Sequence, residues 1–114
     1  MNVREFLKDK KNKDGRFFKT VTCADGFTIS IQASEYHYCS PRENDADWYE
    51  VELGFPSEKD EMIQRWAENE KEPEYTVYGY VPIQVVQDLL NKHNKPVSSF
   101  SIKDALNNHL NSEA

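Results

Sequence analysis

Glycine is scarce, with four residues among 114, and neither a Walker loop nor a dinucleotide-binding fingerprint occurs. Sulfur is equally sparse. Cys23 and Cys39 are too few for the disulfide framework that lets small secreted proteins fold on thin cores, and two free thiols in a reducing compartment are expected. One disulfide stays open at this point, because spacing alone cannot bring two Cβ atoms together. There is no Cys-x-x-Cys pair and no compact histidine pair. A zinc site built on Cys23, His37 and Cys39 would have to recruit His93 or His109 through the fold, so neither a metal nor a cofactor is expected. No apolar run approaches membrane-spanning length, and the early apolar residues Val3, Phe6, Leu7, Phe17 and Phe18 are separated by charges. The expectation is a soluble protein of the cytoplasm that needs no membrane partner.

What is present suffices for one modest core: 38% of residues are hydrophobic and 12% aromatic, within the size of a single domain. The net charge of −6 conceals a division. Residues 1–19 carry seven Lys/Arg and three Asp/Glu, a balance of +4, whereas residues 42–74 carry four Lys/Arg and twelve Asp/Glu, a balance of −8. This asymmetry disfavours a protein that grips nucleic acid with its whole surface and favours one that presents acid to a basic partner.

Val3, Phe6 and Leu7 stand at i, i+3, i+4 and predict a short N-terminal helix, followed by a turn through Lys10–Gly15. Arg16–Cys23 and Phe27–Ala33 flank Ala24-Asp25-Gly26, whose Asp-Gly pair supplies the positive φ of a tight hairpin. Residues 34–47 become loop-like after Pro41. Trp48–Phe55 resumes alternation, with Tyr49, Val51, Leu53 and Phe55 on one face and Trp48, Glu50 and Glu52 on the other. Ser57 is expected to cap a helix with acid in its first turn and a buried stripe of Met62, Ile63, Trp66 and Ala67. Tyr75–Val81 reads as a strand with a bulge at Gly79, and Pro82 opens a helix buried along Ile83, Val86, Leu89 and Leu90. A last helix over Ser101–Leu110 has Ile102, Leu106 and Leu110 on one face. The resulting fold class is α+β: a small antiparallel or mixed β-sheet covered by three to four helices. Residues 1–94 form a single domain, and residues 95–114 form a linker and a helix that docks on the body or joins two copies as a homodimer.

Three chemistries compete for the polar residues. Cys39 and His37 would share a face of an extended strand, which allows a thiol nucleophile beside a base but names no oxyanion site, so a small hydrolase ranks last. The segment Tyr36-His37-Tyr38-Cys39-Ser40-Pro41-Arg42 offers rings to stack on a base and Ser and Arg to bind phosphate. Tyr36, Tyr38, Arg42 and Tyr78, with Tyr80 beside them, are the candidate nucleotide-binding residues. The broadest reading uses the acid. Glu50, Glu52, Glu58 and Glu61 would line a surface that imitates phosphate spacing and occupies a basic groove, with Trp48 as its apolar anchor.

Asn2-Val3-Arg4-Glu5-Phe6-Leu7-Lys8, then Asp14-Gly15-Arg16-Phe17-Phe18-Lys19 and Asp25-Gly26-Phe27-Thr28-Ile29-Ser30-Ile31-Gln32, resemble stretches of small accessory proteins of bacteriophages and prophages. His37–Arg42 and Glu52-Leu53-Gly54-Phe55-Pro56-Ser57 extend the resemblance over roughly residues 1–93. It carries over no functional residue. It implies a non-enzymatic role in an infected bacterium: a counter-defence inhibitor that binds a host protein, with a sponge for a host signalling nucleotide as the alternative.

Overall fold

The computed structural model describes residues 1–95. The expected helix Ser101–Leu110 and most of its linker lie outside the described residues. Helix α1 spans Val3–Lys8; Asn2 caps it by accepting from the Glu5 N–H, and Val3, Phe6 and Leu7 face the core as their spacing predicted. Strands β1 (Lys13–Asp14) and β2 (Phe17–Phe18) form a two-stranded antiparallel hairpin. Strands β3 (Val21–Thr22), β4 (Thr28–Gln32), β5 (Glu50–Gly54) and β6 (Val77–Pro82) form an antiparallel sheet in the order β3-β4-β5-β6. Helix α2 (Ile83–His93) follows β6 directly.

The Asp25–Gly26 turn joins β3 to β4, with Gly26 at φ +94° and the Asp25 carboxylate accepting from the Phe27 N–H at 2.9 Å. The strand expected to run unbroken through Arg16–Cys23 is instead two strands in two sheets. Gln32 explains how they hold together: its side-chain amide accepts from the Phe18 N–H at 2.9 Å and donates to the Phe18 carbonyl at 2.8 Å, supplying by side chain what a neighbouring strand would supply by backbone.

Ile29, Ile31, Val51, Leu53, Tyr78 and Val81 from the sheet join Val86, Leu89 and Leu90 of α2 in one buried core, closed by α1 and Phe18. The Val3 N–H donates to Gln87 Oε1 at 2.9 Å and ties α1 to α2. Between β5 and β6 the register shifts, so that Gly79 and Tyr80 together oppose Glu52. This is the expected bulge. Tyr80 takes φ +54°, and Tyr78 and Tyr80, which strict alternation would put on one face, are divided: Tyr78 is buried and Tyr80 exposed.

Two expectations are corrected. The helices among the described residues are two α-helices, only α2 exceeding two turns, instead of three to four. The missing one is the helix expected after Ser57, where turns lead to a single 3₁₀ turn, Gln64–Trp66. Ser57 is committed elsewhere: its hydroxyl accepts from the Thr28 N–H at 3.0 Å and its own N–H donates to the Thr28 carbonyl at 2.9 Å, prolonging the edge of β4. Asp60, one of the acidic residues that would have stood in the first turn of that helix, is buried in the protein. With its cap and its first-turn acid both spent on tertiary contacts, the segment keeps only Ile63 fully buried and has no reason to wind regularly. No helix among the described residues is long and apolar enough to cross a membrane.

Candidate partner-binding surface

The 55–76 connection leaves β5 through Phe55 and returns through Tyr75 and Thr76. The Phe55 N–H donates to the Thr76 carbonyl at 3.1 Å, which brings the two ends side by side. Phe55 has φ +51°, a region where a bulky residue is rare, and its ring is 57% exposed; Tyr75 is 76% exposed. Around them Glu58, Glu61, Glu68, Glu70, Glu72 and Glu74 are all exposed. The connection thus carries an exposed aromatic residue at each end and exposed glutamates along its length, with Lys59, Arg65 and Lys71 exposed among them.

This connection is held to the body by a charged cluster. His93, at the last turn of α2, puts Nε2 at 2.8 Å from Asp60 Oδ2 and Nδ1 at 2.6 Å from Asp25 Oδ2. Its ring stacks on Phe27 at 3.8 Å between centroids. Asp60 also accepts from Lys92 Nζ at 2.9 Å and from the Met62 N–H at 2.9 Å, and its side chain is 2% exposed. The backbone completes the joint, with the Asp25 N–H donating to the His93 carbonyl and the Ala24 N–H to Asn94 Oδ1. Burial by itself would lower the His93 pKa, but the hydrogen bonds and charges of Asp25 and Asp60 outweigh it and raise it. Burial would likewise raise Asp60, yet the bonds from His93, Lys92 and Met62 bring it below the usual carboxylate range. Asp25 is lowered by the Phe27 N–H first and by His93 second. In the protonated ring both nitrogens donate, one to each carboxylate. No local pattern announces the cluster: Asp25 sits in a turn, Asp60 in an acidic run and His93 at a helix end, and only the fold joins them.

The residues expected to bind a partner fall in three places. Trp48, expected as an exposed anchor, is 4% exposed; its indole Nε1 donates to the Glu43 carbonyl at 2.9 Å, and its ring meets Phe18 edge-on. It belongs to the core: β5 begins two residues later, so Trp48 lies outside the alternation of the strand. Glu50 and Glu52 are half-buried and already bonded: Glu50 accepts from the Ser40 hydroxyl at 2.7 Å, Glu52 from the Tyr38 N–H at 3.0 Å. They fasten residues 36–42 over the outer face of the sheet. Glu58 and Glu61 lie on the 55–76 connection, beyond the opposite end of β5, with Glu61 3.1 Å from Lys59.

The expected ligand residues are partly assembled. Tyr38 lies 6.0 Å from Tyr80 with Arg42 over its ring at 5.3 Å, while Tyr36 carries Arg16 at 5.3 Å. Tyr78 is not among them: it is fully buried, and its hydroxyl donates to the Pro73 carbonyl at 2.6 Å. Tyr80 takes the outward position because of the bulge.

Cys39 and His37 are close in sequence but aimed apart in chemistry. The thiol donates to the carbonyls of Ser34 at 3.2 Å and Pro41 at 3.5 Å, and His37 Nδ1 is 2.6 Å from the Ser34 hydroxyl. Burial raises the Cys39 pKa and lowers that of His37, so both shifts oppose the thiolate–imidazolium pair that a thiol nucleophile needs. Cys23 and Cys39 are both buried free thiols. Among the described residues no group of three or more His, Cys, Asp and Glu is placed to hold a metal ion. No protein-family model matches the chain, and comparison with curated proteins and with solved structures finds no match either.

Proposed function

We propose that this chain is a non-enzymatic binding protein, a counter-defence inhibitor of the kind bacteriophages encode, which docks its 55–76 connection onto a basic, nucleic-acid-binding surface of a host protein in the bacterial cytoplasm. The observation that carries this reading is Phe55. A bulky ring held in left-handed backbone costs about 1–3 kcal/mol, and such strain persists where a site requires it. Here it holds an exposed phenyl group at one end of a connection that has exposed Tyr75 at its other end and exposed glutamates between them. Aromatic anchors concentrate binding energy, and carboxylates steer the encounter with a basic groove. Glu58 and Glu61 are among these glutamates; Glu50 and Glu52 support the fold.

The test is capture from lysate of defence-competent cells with the wild type and three variants. A genuine partner is retained by wild type and by Tyr36→Ala, and is lost from Phe55→Ala/Tyr75→Ala and from Glu58→Lys/Glu61→Lys. Its capture weakens as salt rises. A protein held equally by all four chains, each folded by circular dichroism, would sink the reading.

A further inference from the structure

A second site lies at the other end of the sheet. A cavity of about 530 Å³ opens between the basic N-terminal segment and the 43–48 loop, with Leu7, Ala46 and Trp48 as its apolar floor and Lys8, Lys10 and Lys13 along one wall. It adjoins a second cavity of about 370 Å³ lined by Arg16 and Tyr36; the two share Lys13, Gly15 and Asp45. Together they form a trough whose first part is lined by the apolar residues and by Lys8, Lys10 and Lys13, and whose second part is lined by Lys13, Arg16 and Tyr36 with Glu35, whose carboxylate is held by the Asn44 side-chain amide. Each cavity lies within the ~300–1,000 Å³ typical of small-molecule sites.

Carboxylates face these cations, and their geometry shows how firmly. Lys8 is 3.6 Å from Asp47 and Lys13 is 3.9 Å from Asp45, both long contacts, and the two aspartates are 84% and 85% exposed. Lys13 is itself 25% exposed and lies over the Phe18 ring at 5.0 Å, but contacts this long to exposed aspartates hold little and are screened by salt. Asp9 is turned to its own backbone, accepting from the Lys11 N–H. Lys10 makes no ion pair among the described residues. The cations belong to the β1–β2 hairpin and the segment before it. Their loosely held counter-charges sit on a loop and can rotate into water when a stronger anion arrives.

The geometry points to a nucleotide as the occupant of this trough, its base on the Leu7–Ala46–Trp48 floor and its phosphates along Lys10, Lys13 and Arg16 toward Tyr36. A base needs apolar contact, which Ala46 and the exposed edges of Leu7 and Trp48 offer, and phosphate needs several cations whose existing partners are weak. The site is independent of the 55–76 surface. It also differs from the Tyr36–Tyr38–Arg42 segment, since of those three only Tyr36 lines it.

Titration calorimetry of the full chain at low salt, with ATP, adenosine and tripolyphosphate as probes, tests the assignment. ATP is expected to bind one to one with quenching of tryptophan fluorescence, and each fragment to bind at least about tenfold more weakly. Lys13→Glu/Arg16→Glu should weaken ATP about tenfold or more, Lys10→Ala should weaken it less, and Phe55→Ala should leave it unchanged. Asp45→Asn/Asp47→Asn is the decisive arm. If the aspartates compete with phosphate, their neutralisation tightens ATP by roughly twofold to fivefold. No heat with ATP at about 1 mM would overturn the assignment. So would tripolyphosphate binding as tightly as ATP, which would mean anion attraction alone, or unchanged or weaker ATP affinity in the asparagine variant.

Discussion

Replacing His93 by alanine should destabilise the protein by an amount that depends on pH. The protonated ring donates to Asp60 at 2.8 Å and to Asp25 at 2.6 Å while stacking on Phe27. Breaking one member out of a buried ion pair costs about 3–5 kcal/mol. The lower end applies because Asp60 keeps Lys92 and the Met62 N–H, and Asp25 turns to water; about 3 kcal/mol is expected at acidic-to-neutral pH. The pH sign follows from the direction of the shift. The folded-state pKa of His93 is raised, so its stabilising contribution is complete below the unfolded value of about 6.5 and is lost as pH rises through the folded value. Once neutral, the ring can donate to one carboxylate only and presents a lone pair to the other. The stacking contribution, about 1 kcal/mol, remains. Urea unfolding of wild type and His93→Ala at about pH 5.5 and about pH 9.5 should therefore give a stability difference that shrinks from roughly 3 to roughly 1 kcal/mol. Asp25 and Asp60 act in the opposite sense: their lowered pKa values give stability present above the unfolded value and lost as pH falls through the folded one, so acid unfolds the cluster from the other side. A difference that stays constant between the two pH values would refute the charged arrangement of the cluster.

Three further outcomes follow from named contacts. Phe55→Gly removes the left-handed strain and should raise stability by about 1 kcal/mol in urea unfolding while abolishing partner capture, separating the two roles of that position. Gln32→Ala removes both bonds to Phe18 and should cost about 2 kcal/mol, with faster hydrogen exchange at the Phe18 amide. Trp48→Ala should cost about 3–5 kcal/mol in thermal or urea unfolding, the signature of a core ring and not of a surface anchor.

Where local chemistry decided the backbone, it could be read directly. Asp25-Gly26 makes its hairpin, Gly79 makes its bulge, and the apolar spacing after Pro82 makes α2, because each depends on residues a few positions apart. Ser57 and Asp60 carried equally good local signals for a helix. They lost to partners in Thr28 and His93, which lie 29 and 33 residues away and cannot be seen by any periodicity. The candidate site suffered in the same way. Parity puts Trp48, Glu50 and Glu52 on one outward face, but the 36–42 segment takes the two glutamates as acceptors and Trp48 packs against Phe18. Glu58 and Glu61 needed no distant partner to be surface residues, and they are exposed.

Gly79 contributes no side chain to either proposed site, yet much of the surface chemistry depends on it. A Cβ there would come within 3.2 Å of the Tyr38 Cβ, so any larger residue would push the 36–42 segment off β6 by a few tenths of an ångström at that point. The extra residue it brings to β6 also resets the reading frame of the strand, sending one tyrosine inward to Pro73 and the next outward to Tyr38. Deleting this single residue would leave Tyr80 alone opposite Glu52 with both tyrosines facing as they do now, but would remove the bulge in which Tyr80, at φ +54°, donates its N–H to the Tyr38 carbonyl at 2.9 Å. The exterior of this protein is thus written partly in the length of a strand, and a search for its distant relatives should weigh the spacing between Tyr78 and Tyr80 as heavily as the tyrosines themselves.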